Sequence, residues 1–435
     1  MRFILILLFL FVLIHYSLAS WIDPFNEVIV RNIVIEGNKI TKPWVIQRFL
    51  GFSQGDTITT DQFTAATQRL YESDLFSSVT IRAENRIGKE VDVVIQVKEK
   101  WYIYPFPVIG LRDRDWKKFY GGLGIRDNNF LGRSEKLACL FAIGYDPFIS
   151  ITFTSPWVGR SYNYLLTLGG NISRGRLSLI QSEDYASNLD NLYGDASITL
   201  TRVYGSTVSA ACMLAYNYVV NKSEGVTTTV SATGRDIFAS AGFSFIFDTR
   251  NVKWFPTRGE FVNIGIDKFG LGESQVDFAR FIFDARKFIP ITSSISVAAR
   301  LHGNIAGGPV VPPYYDVFIG YGERIRGMFS TVQEGQSIIG SNLEMRFRLL
   351  KDVPLNLPIS LVDDLNHVGI GVYWSLFGDV GEAFQKGNMP SYDRLLYGYG
   401  GGLSFVMPFN VVVQLAIARG NSRKLEAILV LGTVI

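Results

Sequence analysis

The sequence predicts a mainly β protein in two parts: a small α+β domain, then a sixteen-stranded antiparallel transmembrane β-barrel. Three observations carry this. From Glu99 onward, apolar side chains alternate with small or charged ones at period two, as strands between lipid and a wet lumen require. From Val28 to Lys98 the pattern mixes strand and helix periods instead. After residue 20 no apolar run approaches the roughly 18 residues that a spanning helix needs. A closed barrel is then the main route into a membrane for so apolar a chain, and a large soluble all-β protein is the alternative.

Composition supports the membrane reading. Of 435 residues, 48% are hydrophobic and 19% charged, against about 25% charged in an average soluble chain. The net charge, 42 − 39 = +3, is too small to argue for nucleic acid or a strongly acidic partner. Residues 1–19 read as a secretory signal: Arg2, an unbroken apolar core from Phe3 to Ile14, then Ser17-Leu18-Ala19 at the cleavage position. An N-terminal membrane anchor is the competing reading.

Residues 20–98 form the first domain. Val28–Glu36 is strand-like and closes on the turn pair Gly37-Asn38. Thr41 is expected to cap a short helix with Pro43 in its first turn and an end near Gly51. Asp61–Glu72 reads as a second helix, with Phe63, Ala66, Thr67 and Leu70 on one face. Strands Phe76–Ala83 and Val91–Lys98 follow, joined by a polar turn containing Gly88. The order β-α-α-β-β within about 70 residues describes a compact α+β module.

Residues 99–435 supply the barrel, with sixteen segments centred near residues 106, 124, 140, 153, 168, 197, 212, 242, 264, 282, 300, 345, 373, 401, 415 and 429. In Asn342–Leu349, the apolar Leu343, Met345, Phe347 and Leu349 oppose Asn342, Glu344, Arg346 and Arg348. In Ile237–Asp248 the alternation holds except at Phe238 and Ile246. Cys139 and Cys212 share parity with lipid-facing neighbours, so both read as small apolar residues on separate strands, not as a disulfide or metal pair.

Ile325-Arg326-Gly327-Met328-Phe329 stands out in a Gly-rich stretch, residues 307–339. Arginine is costly in hydrocarbon and needs water or a lumenal anion. Glu344, on the polar face of its strand, and Asp379, which shares a face with Gly369, Gly371 and Ser375, are the candidates. A basic loop residue with acidic partners in the wall suggests a loop folded inward, and this ion pair outweighs reading the two carboxylates as a catalytic pair. Beyond His15, only His302 and His367 occur, with no H-E-x-x-H, G-x-S-x-G or P-loop. No enzymatic activity, metal or cofactor is expected. Pro105 and Pro107 present one strand edge without N–H donors. They mark either a weak seam on the first barrel strand or the linker before it.

Glu36-Gly37-Asn38, Leu75-Phe76 and the closing Val97-Lys98-Glu99, in that element order, resemble a single POTRA domain. Further motifs follow in sequence: Asp127-Asn128-Asn129-Phe130-Leu131-Gly132, Asp248-Thr249-Arg250-Asn251, Phe255-Pro256-Thr257-Arg258-Gly259, the Arg326 pentapeptide, Gly378-Asp379-Val380-Gly381 and the Gly-rich Tyr397–Phe405. Together they resemble the outer-membrane assembly-factor superfamily of BamA- and TamA-like barrels. The resemblance implies an inward loop whose arginine, here Arg326 with Gly327 and Phe329, engages Glu344 and Asp379. It also implies an outer-membrane barrel with the POTRA-like domain in the periplasm, and unfolded outer-membrane proteins, lipid and periplasmic or lipoprotein accessory factors as partners. Two functions follow from it, insertion of β-barrel proteins through a lateral seam or polypeptide export through the lumen; a purely structural membrane protein is the third reading. The sequence departs from the family's pattern in three ways: Met328 stands where an aromatic usually follows the Arg-Gly pair, only one POTRA-like module is present, and the final residue is not aromatic.

Overall fold

A computed structural model describes residues 27–435 apart from 113–115, 160–163, 181–185, 224–227, 273–274, 321–322, 329–330, 356–367, 408–410 and 433–435. The signal reading for residues 1–19 lies outside the described residues. Residues up to Pro105, with Ile125–Leu137, form one compact unit; Phe106–Gly124 and Ala138–Ile435 form the other.

In the first unit, β1 (Val28–Glu36) is followed by α1 (Pro43–Leu50), β2 (Thr57–Ile58), α2 (Thr60–Glu72), β3 (Phe76–Ile87) and β4 (Glu90–Glu99). The strands form one sheet in the order β2-β1-β4-β3, with β1 and β4 parallel. Val45, Ile46 and Leu50 of α1 and Ala66 and Leu70 of α2 are fully buried, as are Val30, Val93 and Ile95 of the sheet. Each helix thus covers the sheet with its apolar stripe. Strand β2, only two residues long, is too short to leave a periodic signal. Helix α2 starts one residue before the predicted bound, with a capping box between Thr59 and Gln62.

Thr41 does not cap α1. The N-cap is Lys42, without a side-chain hydrogen bond. The Thr41 hydroxyl is committed elsewhere, 3.0 Å from the Tyr102 hydroxyl and accepting from Asn129 Nδ2 at 2.9 Å. The turn before the helix is organised by Glu99, whose carboxylate accepts the backbone N–H groups of Lys39, Ile40 and Thr41 at 3.1, 3.1 and 2.6 Å. Burial alone would raise the Glu99 carboxyl, but these N–H donors and the Thr41 hydroxyl favour the charged form and hold it below the ordinary carboxylate value.

The remaining strands run in chain order: β5 (Ile103–Leu111), β6 (Phe119–Phe130), β7 (Glu135–Gly144), β8 (Phe148–Val158), β9 (Tyr164–Ile180), β10 (Ala186–Tyr204), β11 (Val208–Asn221) and β12 (Arg235–Asp248). They continue with β13 (Gly259–Leu271), β14 (Asp277–Pro290), β15 (Ile295–Val310), β18 (Ser337–Leu355), β19 (Val368–Phe384), β20 (Leu396–Met407), β21 (Val411–Gly420) and β22 (Leu425–Leu431). These form one 16-stranded sheet with every neighbour sequential except where β15 pairs β18. Between those two, β16 (Val317–Ile319) and β17 (Gln333–Gly335) make a separate ladder. Every predicted centre falls inside a strand. The fold is a 16-stranded antiparallel membrane β-barrel.

Alternation of exposure follows the predicted faces. On β18, Leu343 and Met345 are exposed while Asn342, Glu344 and Arg346 are 1–2% exposed. Because water-filled and lipid-filled sides exchange at every residue, a one-residue slip would put these charges in hydrocarbon, which fixes the register strongly. Phe238 breaks the alternation because it points inward, 3% exposed, into an aromatic cluster described below.

Cys139 and Cys212 are free thiols on the exposed face, and Cys212 pairs across the ladder with the exposed Phe243. A membrane-permeant maleimide is therefore expected to label both in proteoliposomes, and a charged thiol reagent to label neither; equal labelling by the two would place these faces in water.

Candidate functional site

A guanidinium inside a barrel needs carboxylates placed to receive its planar fork of donors, and β18 and β19 provide them. Their register sets Asn342 opposite Asp379 and Glu344 opposite Phe377, so the acidic side chains sit on neighbouring strands of one face. The connection between β15 and β18 brings the arginine to them. It is shorter than the predicted 307–339. Gly307 and Val310 still pair with β14, and Ile338 and Ile339 already pair with β15, leaving 311–336 as the connection.

At its tip the Met328 N–H donates to the Ile325 carbonyl at 3.0 Å, closing a turn with Gly327 at φ +89. Arg326 is fully buried. Its Nε and Nη2 donate to the two oxygens of Asp379, both at 2.7 Å, and its backbone N–H adds a third bond at 3.1 Å. Nη1 donates to Glu344 Oε2 at 2.5 Å. The sequence motif thus brings Arg326, Gly327, Glu344 and Asp379 together; Phe329 lies outside the described residues.

Other members of the site were not foreseen. Arg346 Nε donates to the second oxygen of Glu344 at 2.8 Å, and its Nη1 to the Pro256 carbonyl at 2.8 Å. Arg326 lies over the Phe377 ring at 3.7 Å and Arg346 over Phe255 at 4.4 Å. Two guanidiniums and two carboxylates therefore form a buried quartet with no net charge, its cationic faces covered by aromatic rings. The quartet links the loop motif to the Phe255-Pro256 motif through Glu344 and Arg346. The readable signal was parity: Arg346 stands two residues from Glu344 on the same face.

Close backbone contact completes the anchor. A methyl group at Gly398 of β20 would sit 1.8 Å from the Arg326 carbonyl oxygen, and one at Gly327 would sit 2.7–2.9 Å from the backbone of Arg419 on β21. Met328 occupies an apolar niche with Ile319, Ile325, Ile338 and Ala383; an unbranched side chain suits such an irregular gap. Further along the loop, Glu323 accepts Nη1 and Nη2 of Arg300, each at 3.1 Å. Among the described residues no group of three or more His, Cys, Asp or Glu is placed to hold a metal ion.

Pro105 and Pro107 both lie within β5, at one end of the strand order, with β22 at the other.

An inward loop pinned to the wall and an N-terminal four-stranded module define the class as a POTRA-bearing membrane β-barrel. The family model for the Omp85 superfamily domain matches residues 129–419, and that for the POTRA domain, a surface antigen variable number repeat, matches 28–100. The chain belongs to the Omp85 superfamily. It is 22% identical over 414 residues to the outer membrane protein assembly factor BamA of Neorickettsia risticii (strain Illinois), covering 92% of this chain and 54% of the relative; it thus spans about half of that protein's length. Among solved structures, BamA from Haemophilus ducreyi lacking POTRA domains 1–3 superimposes with a TM-score of 0.69 at 18% identity, covering 92% of this chain and 83% of that one. CdiB from Acinetobacter baumannii gives 0.58 at 15%, covering 92% and 73%. At these identities the two structures establish the fold.

Proposed function

We propose that this chain folds and inserts β-barrel proteins into the outer membrane, with its POTRA domain in the periplasm. The observation that carries the reading is that the similarity to an assembly factor runs through both the module and the barrel, over 92% of the chain. The activity is not enzymatic in this reading. It uses strand edges.

Strand β5 ends the sheet order, and its two prolines supply no N–H donors. Proline within a sheet is confined to an edge whose donors are not needed, so the edge of β5 turned away from β6 is the one that lacks two of them. Closure against β22 along that edge is weak. An incoming strand competes for it by β-augmentation, while the POTRA sheet offers its own edge strands to unfolded clients and the exposed apolar face of the strands holds the barrel in lipid. Accessory periplasmic or lipoprotein factors belong to the same proposal.

Export of a polypeptide through the lumen is the second reading, favoured by the fold similarity to CdiB. Depleting the protein and quantifying the outer-membrane proteome separates the two. Insertion predicts that many barrel proteins fall together. Accumulation of one secreted client, with the other barrels unchanged, would overturn it in favour of export.

A further inference from the structure

The loop is held at a second place, ahead of the Arg326 tip and different in chemistry. Pro312-Pro313-Tyr314-Tyr315 enters a short 3-10 turn at Pro313–Tyr315. The Tyr315 ring lies 4.8 Å from Phe269, 5.1 Å from Phe278 and 6.3 Å from Phe238. Phe269 and Phe278 stack at 4.6 Å. Val219, Phe238, Val276 and Phe278 are buried together here, with Tyr314 and Tyr315 packed against them.

Two polar contacts fix the turn. Arg280, 4% exposed, donates to the Tyr315 carbonyl and to Asn304 Oδ1 at 2.8 Å. The Tyr314 hydroxyl donates to Asp236 Oδ2 at 2.7 Å. Asp236 also accepts the N–H groups of Val230 and Ser231, each at 2.8 Å. The packed side chains, Val219 and four rings, come from β10 through β14 at the strand ends joined by connections 222–234 and 272–276. Counting antiparallel strands from β5 makes this the end opposite to the one where the barrel begins. Cavities of about 430 and 680 Å³, lined by charged and apolar side chains together, lie beside the cluster: Tyr193 lines both, and Tyr314 the first.

We propose that Tyr314 and Tyr315 are a lumen stopper: an aromatic seal against ions and small solutes, secured by Asp236 and Arg280 independently of the Arg326 anchor. A soluble core inside a barrel is otherwise unnecessary, because the sheet already satisfies its own backbone and its outer face is covered by lipid. Apolar side chains are depleted from a lumenal face that only contacts water, yet here five strands turn such residues inward onto one loop turn. Charged groups such as Asp284 and Arg300 line the first cavity, and in this proposal the aromatic layer is what closes the lumen beside it.

The test is single-channel conductance of the full chain in planar bilayers, with heat-modifiable gel migration to confirm folding. Tyr314→Ala/Tyr315→Ala is expected to raise the open-state conductance or open time several-fold. Tyr314→Phe and Asp236→Asn, which remove one hydrogen bond and leave the rings, should give a smaller rise. Arg326→Ala, which releases the tip alone, should leave the pore mostly closed. A folded Tyr314→Ala/Tyr315→Ala protein with unchanged conductance would overturn the proposal, as would full opening by Arg326→Ala. If the double variant does not fold, Asp236→Asn decides on the same readout. Conductance is independent of client assembly, so failure here leaves the assembly reading intact.

Discussion

Arg326→Ala is expected to abolish most of the proposed assembly activity and to expose the loop tip around residue 326 to protease added from outside. Arg326 makes four hydrogen bonds to two carboxylates, three from its guanidinium and one from its backbone N–H, and the quartet is neutral and buried. Removing one partner leaves Asp379 and half of Glu344 charged and dry, at a cost of roughly 3–5 kcal/mol. Arg326→Lys keeps the charge but not the two-pronged geometry, so an intermediate loss is expected. Asp379→Ala and Glu344→Ala should act in the same direction. Because these groups form one network, each combined with Arg326→Ala should cost less than the sum. A protease-resistant Arg326→Ala protein with strictly additive double variants would reduce the anchor to an ordinary surface turn.

Gly398→Ala is expected to produce the same exposed loop with every charge in place. Its methyl group would fall 1.8 Å from the Arg326 carbonyl oxygen, a collision of a Cβ with backbone that no rotamer relieves. Overpacking of this kind costs about 1–3 kcal/mol or more, and the tip can escape it only by lifting off β20. Gly378→Ala on β19 is the matched control, since nothing lies within 4 Å of its added carbon. The measurement is limited proteolysis of intact cells or proteoliposomes. Tolerance of Gly398→Ala with a fully protected loop would mean that the tip does not press on β20.

Strands were legible because one side of each meets lipid and the other does not, so period two is imposed along most of each strand after Glu99. The ion pair was legible for a related reason: a buried arginine requires carboxylates, and parity put Glu344 and Asp379 on lumenal faces. What sequence periodicity cannot report is which lumenal residues meet across the pore. Arg346 and Phe377 share the correct parity, while Phe255 lies in the connection between β12 and β13, and their convergence depends on barrel curvature and on the loop's path. Phe238 registered as an irregularity, and its reason appears only when Tyr315 is seen beside it. Thr41 failed as a cap because Tyr102 and Asn129, distant in sequence, claim its hydroxyl; local propensity yields to tertiary hydrogen bonds.

The loop is made before most of its anchor. Residues 326 and 327 are synthesised ahead of Glu344, Asp379, Gly398 and Arg419, each of which one of them touches or closely approaches, so their pinning waits for β18 to β21. These contacts are long-range, and they add loop-closure entropy to the last stage of folding. A nascent barrel with its first eleven strands in place still has a loose loop tip, and a molecule that fails to add its last hairpins keeps one. The charge quartet is thereby a record of completion: in this chain, a protected loop marks a barrel whose final third has arrived.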